Sequence, residues 1–149
     1  MRKKYILKFE KVGIKDVALV GGKNASSGEM IRELGKKGVK VPSGFIVTAE
    51  AYRYFIKKSQ ITNYKLQTRT KEQSLEDFIR KTLRGLDTRN LKDLARRGKL
   101  VRESIKRADF PEDLKNEIVR AYRLLEKRYG KNADVAVRSS ATAEDLPGA

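Results

Sequence analysis

The 149-residue sequence contains no cysteine and no histidine. The first absence removes disulfides and thiolate nucleophiles, and it fits a reducing compartment, the cytoplasm being the expected one. The second removes the commonest general base, the commonest metal ligand and any phosphohistidine carrier. Chemistry carried by these residues must rest on Lys, Arg, Asp, Glu or hydroxyl groups. Long apolar runs are also missing. No window approaches the ~18 consecutive apolar residues of a membrane-spanning helix. The opening MRKKYILKFE lacks the apolar core and small-residue cleavage site of a secretory leader, so no membrane partner is expected.

Positive charge is plentiful. Lys and Arg number 35 against 19 Asp and Glu, a net charge of +16. Between Arg80 and Lys131 there are 17 basic and 8 acidic residues, so more than half of the excess lies there. Such a surface favours polyanions: nucleic acid, nucleotide phosphates or an acidic neighbouring domain. The abundance of Lys, Arg and Glu with little Met also suits a thermophile's surface, and a solvated helical face is the plainest account of the stretch. At 39% hydrophobic, the chain can bury a modest core, as one domain or part of a larger one.

Tyr5, Leu7 and Phe9 alternate with Lys4 and Lys8, which predicts a short strand. KDVALVGG is a short apolar segment closed by paired glycines. A helix follows from Lys23, with Ala25, Met30, Ile31 and Leu34 on one side, up to Gly35 and Gly38. VPSGFIVT gives a turn and a strand over Phe45–Val47. Thr48 then caps a helix whose apolar stripe is Tyr52, Phe55 and Ile56. A polar, irregular run predicts a flexible loop over 59–72. Helices are expected over Leu75–Arg84 and Asn90–Arg107, with Gly98 a weak point in the second. The best-marked helix has Pro111 at its first position, acids in its first turn and the stripe Leu114, Ile118, Ala121, Leu125 and Tyr129. Lys127 and Arg128 close it before Gly130. Asp134–Arg138 reads as a final strand. The expected class is α/β (α+β), with a few short strands and several helices.

Two segments could carry chemistry. In VGGKNASSGEM, Gly21 and Gly22 precede a helix and let backbone approach a ligand, with the first-turn amides pointing at it. Lys23 lies in that first turn, where the helix dipole disfavours a cation unless an anion offsets it. The other reading is that the glycines only end one helix and Lys23 points into water. The GxxxxGK[ST] spacing of a P-loop is absent. In VAVRSSATAEDLPGA, the expected strand delivers Arg138 at its C-terminal end, where ligands bind in open α/β sheets. Its guanidinium fork suits phosphate oxygens, and Ser139, Ser140 and Thr142 add small donors. Here the alternative is an arginine paired with Glu144 or Asp145 and a hydroxyl-rich helix cap.

Taken in order, VALVGGKNASSGEM, VPSGFIVTAEAYRYF, ADFPEDLKNEIVRAY and VAVRSSATAEDLPGA resemble the N-terminus of the phosphoenolpyruvate synthase (pyruvate, water dikinase) family. That family shares its nucleotide-binding domain with pyruvate, phosphate dikinase. The resemblance covers about Phe9 to Ala149. It implies an incomplete ATP-grasp-like domain, of which residues 1–149 are the first part. It also implies conversion of pyruvate, ATP and water into phosphoenolpyruvate, AMP and phosphate with Mg²⁺, through a phosphohistidine on a separate domain. The family's lysine after the paired glycines and its arginine in the VRSS-type motif contact ATP phosphates, and these match Lys23 and Arg138. Gly21, Gly22, Ser139, Ser140 and Thr142 are the supporting positions.

The resemblance places the Mg²⁺-binding acids, most adenine contacts, the phosphohistidine domain and the pyruvate barrel further on. No catalytic residue and no metal ligand are therefore expected within these residues. The closing motif is expected to continue into more chain, and the partners to be ATP and the remaining domains, on the same chain or a second one. Ser27 stands where relatives carry an apolar residue, and Gly148 where an acid is common. The competing expectations are a stand-alone basic module that binds nucleic acid, or a related dikinase with another acceptor. No nucleic-acid-binding motif is present, and Tyr52, Tyr54 and Phe55 sit on a helix as core residues rather than as a stacking platform.

Overall fold

The alternation at the start of the chain is realised as strand β1 (Ile6–Lys8), paired antiparallel with β2 (Phe45–Val47). Leu7 stands opposite Ile46 in this computed structural model, which describes residues 5–61 and 73–142. The ladder is extended at both ends by Phe9 N–H donating to the Gly44 carbonyl (3.3 Å) and Thr48 N–H donating to the Tyr5 carbonyl (2.9 Å). After β1 come 3-10 turns at Phe9–Lys11 and Ile14–Asp16, a single helical turn α1 (Val17–Val20), and helix α2 (Gly22–Gly35). The apolar segment before the paired glycines is thus helical. Val12, Val20, Ala25 and Ile46 form the core, with Leu7, Phe9, Val17 and Leu19 packed on it.

Small residues face this core from α2: Gly22, Ala25 and Gly28 are its buried positions. At Gly28 a Cβ would lie 2.4 Å from the Val12 carbonyl oxygen, so α2 rests directly on the backbone of the preceding turn. Ile31 and Leu34 are half-buried, whereas Met30, expected on the same side, is exposed. Ser27 donates its hydroxyl to the Lys23 carbonyl (2.8 Å), which satisfies it without apolar packing.

Thr48 caps helix α3 (Ala49–Lys58) as expected, its buried hydroxyl accepting from Ala51 N–H at 3.2 Å. The buried stripe of α3 is Ala51 and Phe55, four residues apart, with Ile56 half-buried. Tyr52 lies about 100° further round the helix and is exposed. Helix α6 (Glu112–Tyr129) begins after Pro111, buries Leu114, and ends before Gly130 in the left-handed region (φ 104). Its last turn is tied to the β1–β2 end. Arg128 donates to the Glu10 carboxylate (3.2 Å), Ser43 N–H donates to the Tyr129 hydroxyl (2.9 Å), and the Ser43 hydroxyl donates to Glu10. That polar anchor keeps Tyr129 half-exposed, although the stripe predicts it as core. A cavity of about 310 Å³, lined by Ile6, Leu7, Phe45, Ala121, Leu124 and Leu125, lies between sheet and helix.

The chain divides into two units, Met1–Tyr52 with Asp113–Ala149, and Arg53–Glu112. The second unit holds a two-residue antiparallel pair, β3 (Gln60–Ile61) with β4 (Gln73–Ser74), then helices α4 (Leu75–Leu83) and α5 (Leu91–Arg107). The rest of the expected 59–72 loop falls outside the described residues. Leu75 is fully buried, and Phe55 stacks against Phe110 with ring centroids 5.3 Å apart. Ser74 and Asn90 cap α4 and α5 by accepting from Asp77 and Asp93 N–H. Arg97 of α5 donates to the Thr82 and Arg84 carbonyls (2.9 and 2.8 Å), satisfying the open C-terminus of α4, and pairs with Asp93 at 2.7 Å.

Two expectations are corrected. The described sheets are two-stranded and antiparallel in a helix-dominated fold, so no parallel sheet exists among these residues to define a ligand-binding strand end. Asp134–Arg138 is not a strand: no described neighbour pairs with it, and Val137 is 93% exposed. Alternating valines supply a face, but a strand also needs a ladder partner.

Two outcomes follow from these anchors. Arg97→Lys loses the rigid guanidinium whose Nη1 donates to both carbonyls while Nε holds Asp93, and should cost about 1–3 kcal/mol in a urea titration; an unchanged midpoint would contradict the capping role. At Glu10, burial pushes the carboxyl up, but donation from Ser43 and Arg128 outweighs it and holds the group below its ordinary value of 4.5. A carboxyl lowered on folding adds stability above its unfolded pKa and loses it as pH falls through the folded one. Acidification below that ordinary value should therefore lower the melting temperature more in the native chain than in Glu10→Gln, and parallel curves would refute the anchor.

Candidate functional site

The two sequence segments singled out for phosphate meet at one corner of the first unit. Gly21 is the N-cap of α2, with φ 80 and ψ 159, a combination essentially restricted to glycine. The first-turn amides of a helix have no acceptor within it. Here, Asn24 N–H donates to the Ser140 hydroxyl (3.3 Å) and Gly22 N–H to the Ala141 carbonyl (3.4 Å). A Cβ on Gly21 would lie 2.3 Å from Ser140 Oγ and 2.8 Å from the Ala141 oxygen. The glycine admits the chain's own backbone, where the sequence suggested room for a ligand.

Lys23 in this turn is exposed, and the first turn of α2 carries no acidic residue. Arg138 and Ser139 are exposed, Ser140 and Thr142 half-buried. The structure thus brings together Gly21, Gly22, Lys23 and Ser140, with Arg138 two residues from the contact. Those two residues allow at most about 7.6 Å between the Cα atoms of Arg138 and Ser140. Asn24 is the residue that sequence reasoning missed. Its N–H donates to the Ser140 hydroxyl oxygen and its side-chain amide donates to the Val20 carbonyl (2.8 Å), closing α1 onto α2. An asparagine just after paired glycines was the available signal.

The donor set at the corner is a lysine, an arginine and hydroxyls, which suits phosphate oxygens and not a divalent cation. Among the described residues no group of three or more acidic side chains could hold a metal, and no helix is long and apolar enough to cross a membrane. The basic residues of 80–131 are distributed over α4, α5 and α6, and many are paired. Arg80 bonds Glu76, Arg96 and Arg97 share Asp93, and Lys99 and Arg107 flank Glu103.

Residues 17–149 match the model of the pyruvate phosphate dikinase AMP/ATP-binding domain. The chain belongs to this family. A phosphoenolpyruvate synthase of Aquifex aeolicus is 49% identical over 99% of the chain, and one of Synechocystis sp. is 48% identical over 95%. A probable phosphoenolpyruvate synthase of Methanocaldococcus jannaschii is 43% identical over 97%. The chain spans only 16%, 16% and 11% of the lengths of these three relatives. Within this dikinase-type domain, Gly21 is the position where geometry tolerates least. Gly21→Ala combines backbone strain with a clash against the Ala141 carbonyl and should cost about 1–3 kcal/mol in chemical denaturation. Gly35→Ala, at a helical position with open space around it, serves as the control and should be neutral or stabilising. Equal effects at the two sites would argue against the close approach.

Proposed function

We propose that this chain is the N-terminal ATP-binding segment of a phosphoenolpyruvate synthase, and that Lys23 and Arg138 contact the nucleotide's phosphates. The observation that supports it is the docking of Ser140 and Ala141 on the first turn of α2, beside Lys23, by the segment that carries Arg138. Two cations far apart in sequence are thereby tethered to one corner. There, Lys23 and the α2 dipole favour an anion, and the Arg138 fork can take two phosphate oxygens. Cations so placed orient the triphosphate and stabilise charge on a transferring phosphoryl group.

In this reading the protein converts pyruvate, ATP and water into phosphoenolpyruvate, AMP and phosphate in the cytoplasm. The phosphohistidine, the pyruvate site and the acids that hold Mg²⁺ lie outside these residues, in further domains or a second chain. The corner itself transfers no proton and forms no covalent intermediate; it binds and orients. The ATP-grasp-like architecture belongs to the same reading.

Calorimetric titration of the intact gene product with ATP tests the assignment. Lys23→Ala and Arg138→Ala should each weaken binding about ten-fold or more, as expected for a lost charge-assisted hydrogen bond. Undiminished affinity in both variants would overturn it. Salt-sensitive binding to random oligonucleotides that ignores both substitutions would favour a basic nucleic-acid module instead.

A further inference from the structure

We propose that Ser140 is a positioning residue whose hydroxyl, seated on Asn24 N–H, latches the arginine segment to α2 and sets where Arg138 stands. The inference rests on the reading of Arg138 as a phosphate contact.

Among the described residues no strand pairs with 133–142, and the valines beside Arg138 are exposed. The segment is instead held near its two ends. The Tyr122 hydroxyl donates to the Ala133 carbonyl (3.0 Å), and the Ser140–Ala141 pair docks on the α2 amides. Arg138 lies between these points, two residues from the second. The two described α2 contacts are of similar length, 3.3 Å to Ser140 and 3.4 Å to Ala141. The Ser140 side chain also fills the space that the missing Cβ of Gly21 leaves open. Among the described contacts, removing its oxygen leaves the strap held at one end by Tyr122 and at the other by the Gly22–Ala141 backbone bond. Arg138 would then sample more positions and lose part of its preorganisation.

A hydroxyl that accepts from Asn24 still has a proton to donate, so Ser140 could instead touch phosphate itself. A double-mutant cycle separates the two roles. In the intact gene product, Ser140→Ala should weaken ATP binding about five-fold, the worth of one ordinary hydrogen bond. If Ser140 acts through Arg138, adding Ser140→Ala to Arg138→Ala should change affinity by less than about two-fold. Effects that multiply would make Ser140 an independent ligand and overturn the latch.

A second readout needs no nucleotide. Asn24 N–H has no acceptor inside α2, so its protection from hydrogen exchange in the native protein depends on Ser140. Exchange should be about five-fold faster in Ser140→Ala, with the α2 interior unchanged; unaltered exchange at Asn24 would refute the latch. Failure of the native protein to bind ATP would remove the phosphate reading and with it the proposed purpose of the latch, while the exchange measurement would still decide whether the latch exists.

Discussion

The first unit depends on how closely other backbone can approach helix α2. Its buried face is made of Gly22, Ala25 and Gly28, residues that bring little apolar area of their own. Their contribution is distance. At Gly28 the carbonyl of Val12 takes the place of a side chain, and at Gly21 the 140–141 backbone does the same. The larger hydrophobic residues, Val12, Val20 and Ile46, then pack around a contact whose spacing the glycines set. In interiors packed at crystal-like density, one methyl group at such a position has nowhere to go.

Exposed charges are paired locally in both units, as Glu29 with Arg32 and Glu33 with Lys36 along α2. On α4 and α5 most carboxylates are engaged by cations three or four residues along the same helix, and each such exposed pair contributes only a few tenths of a kcal/mol. Arg97 is the exception, because it is largely buried and bonds the carbonyls at the end of a neighbouring helix. At the α2 corner no carboxylate stands in the first helical turn.

Features written in local chemistry were legible in the sequence. Thr48 before an apolar stripe and Gly130 after Lys127 and Arg128 each mark a helix end where expected, and α6 starts one residue after Pro111 rather than on it. The strand at Phe45–Val47 was equally clear. What depended on distant partners was not. Val135 and Val137 alternate correctly, yet no described strand lies beside them. Tyr129 fits the α6 stripe but is held at the surface by Ser43. Lys23 and Arg138 could be named from motif resemblance, whereas the contact joining their segments runs through Ser140 and Asn24, and no local pattern announces a hydrogen bond between residues so far apart.

That separation has a consequence during synthesis. The Asn24–Ser140 contact closes a loop of 116 residues, while most of the helix capping around it is local. At ~5–20 residues per second, α2 leaves the ribosome roughly 6–23 seconds before its partner segment does. For that interval its first-turn amides are satisfied by water or by whatever anion is at hand. The corner is thus completed after the β1–β2 and α2 contacts have had time to form, and an interruption of translation shortly before residue 140 would release a chain with the residues of that core already made and the corner open.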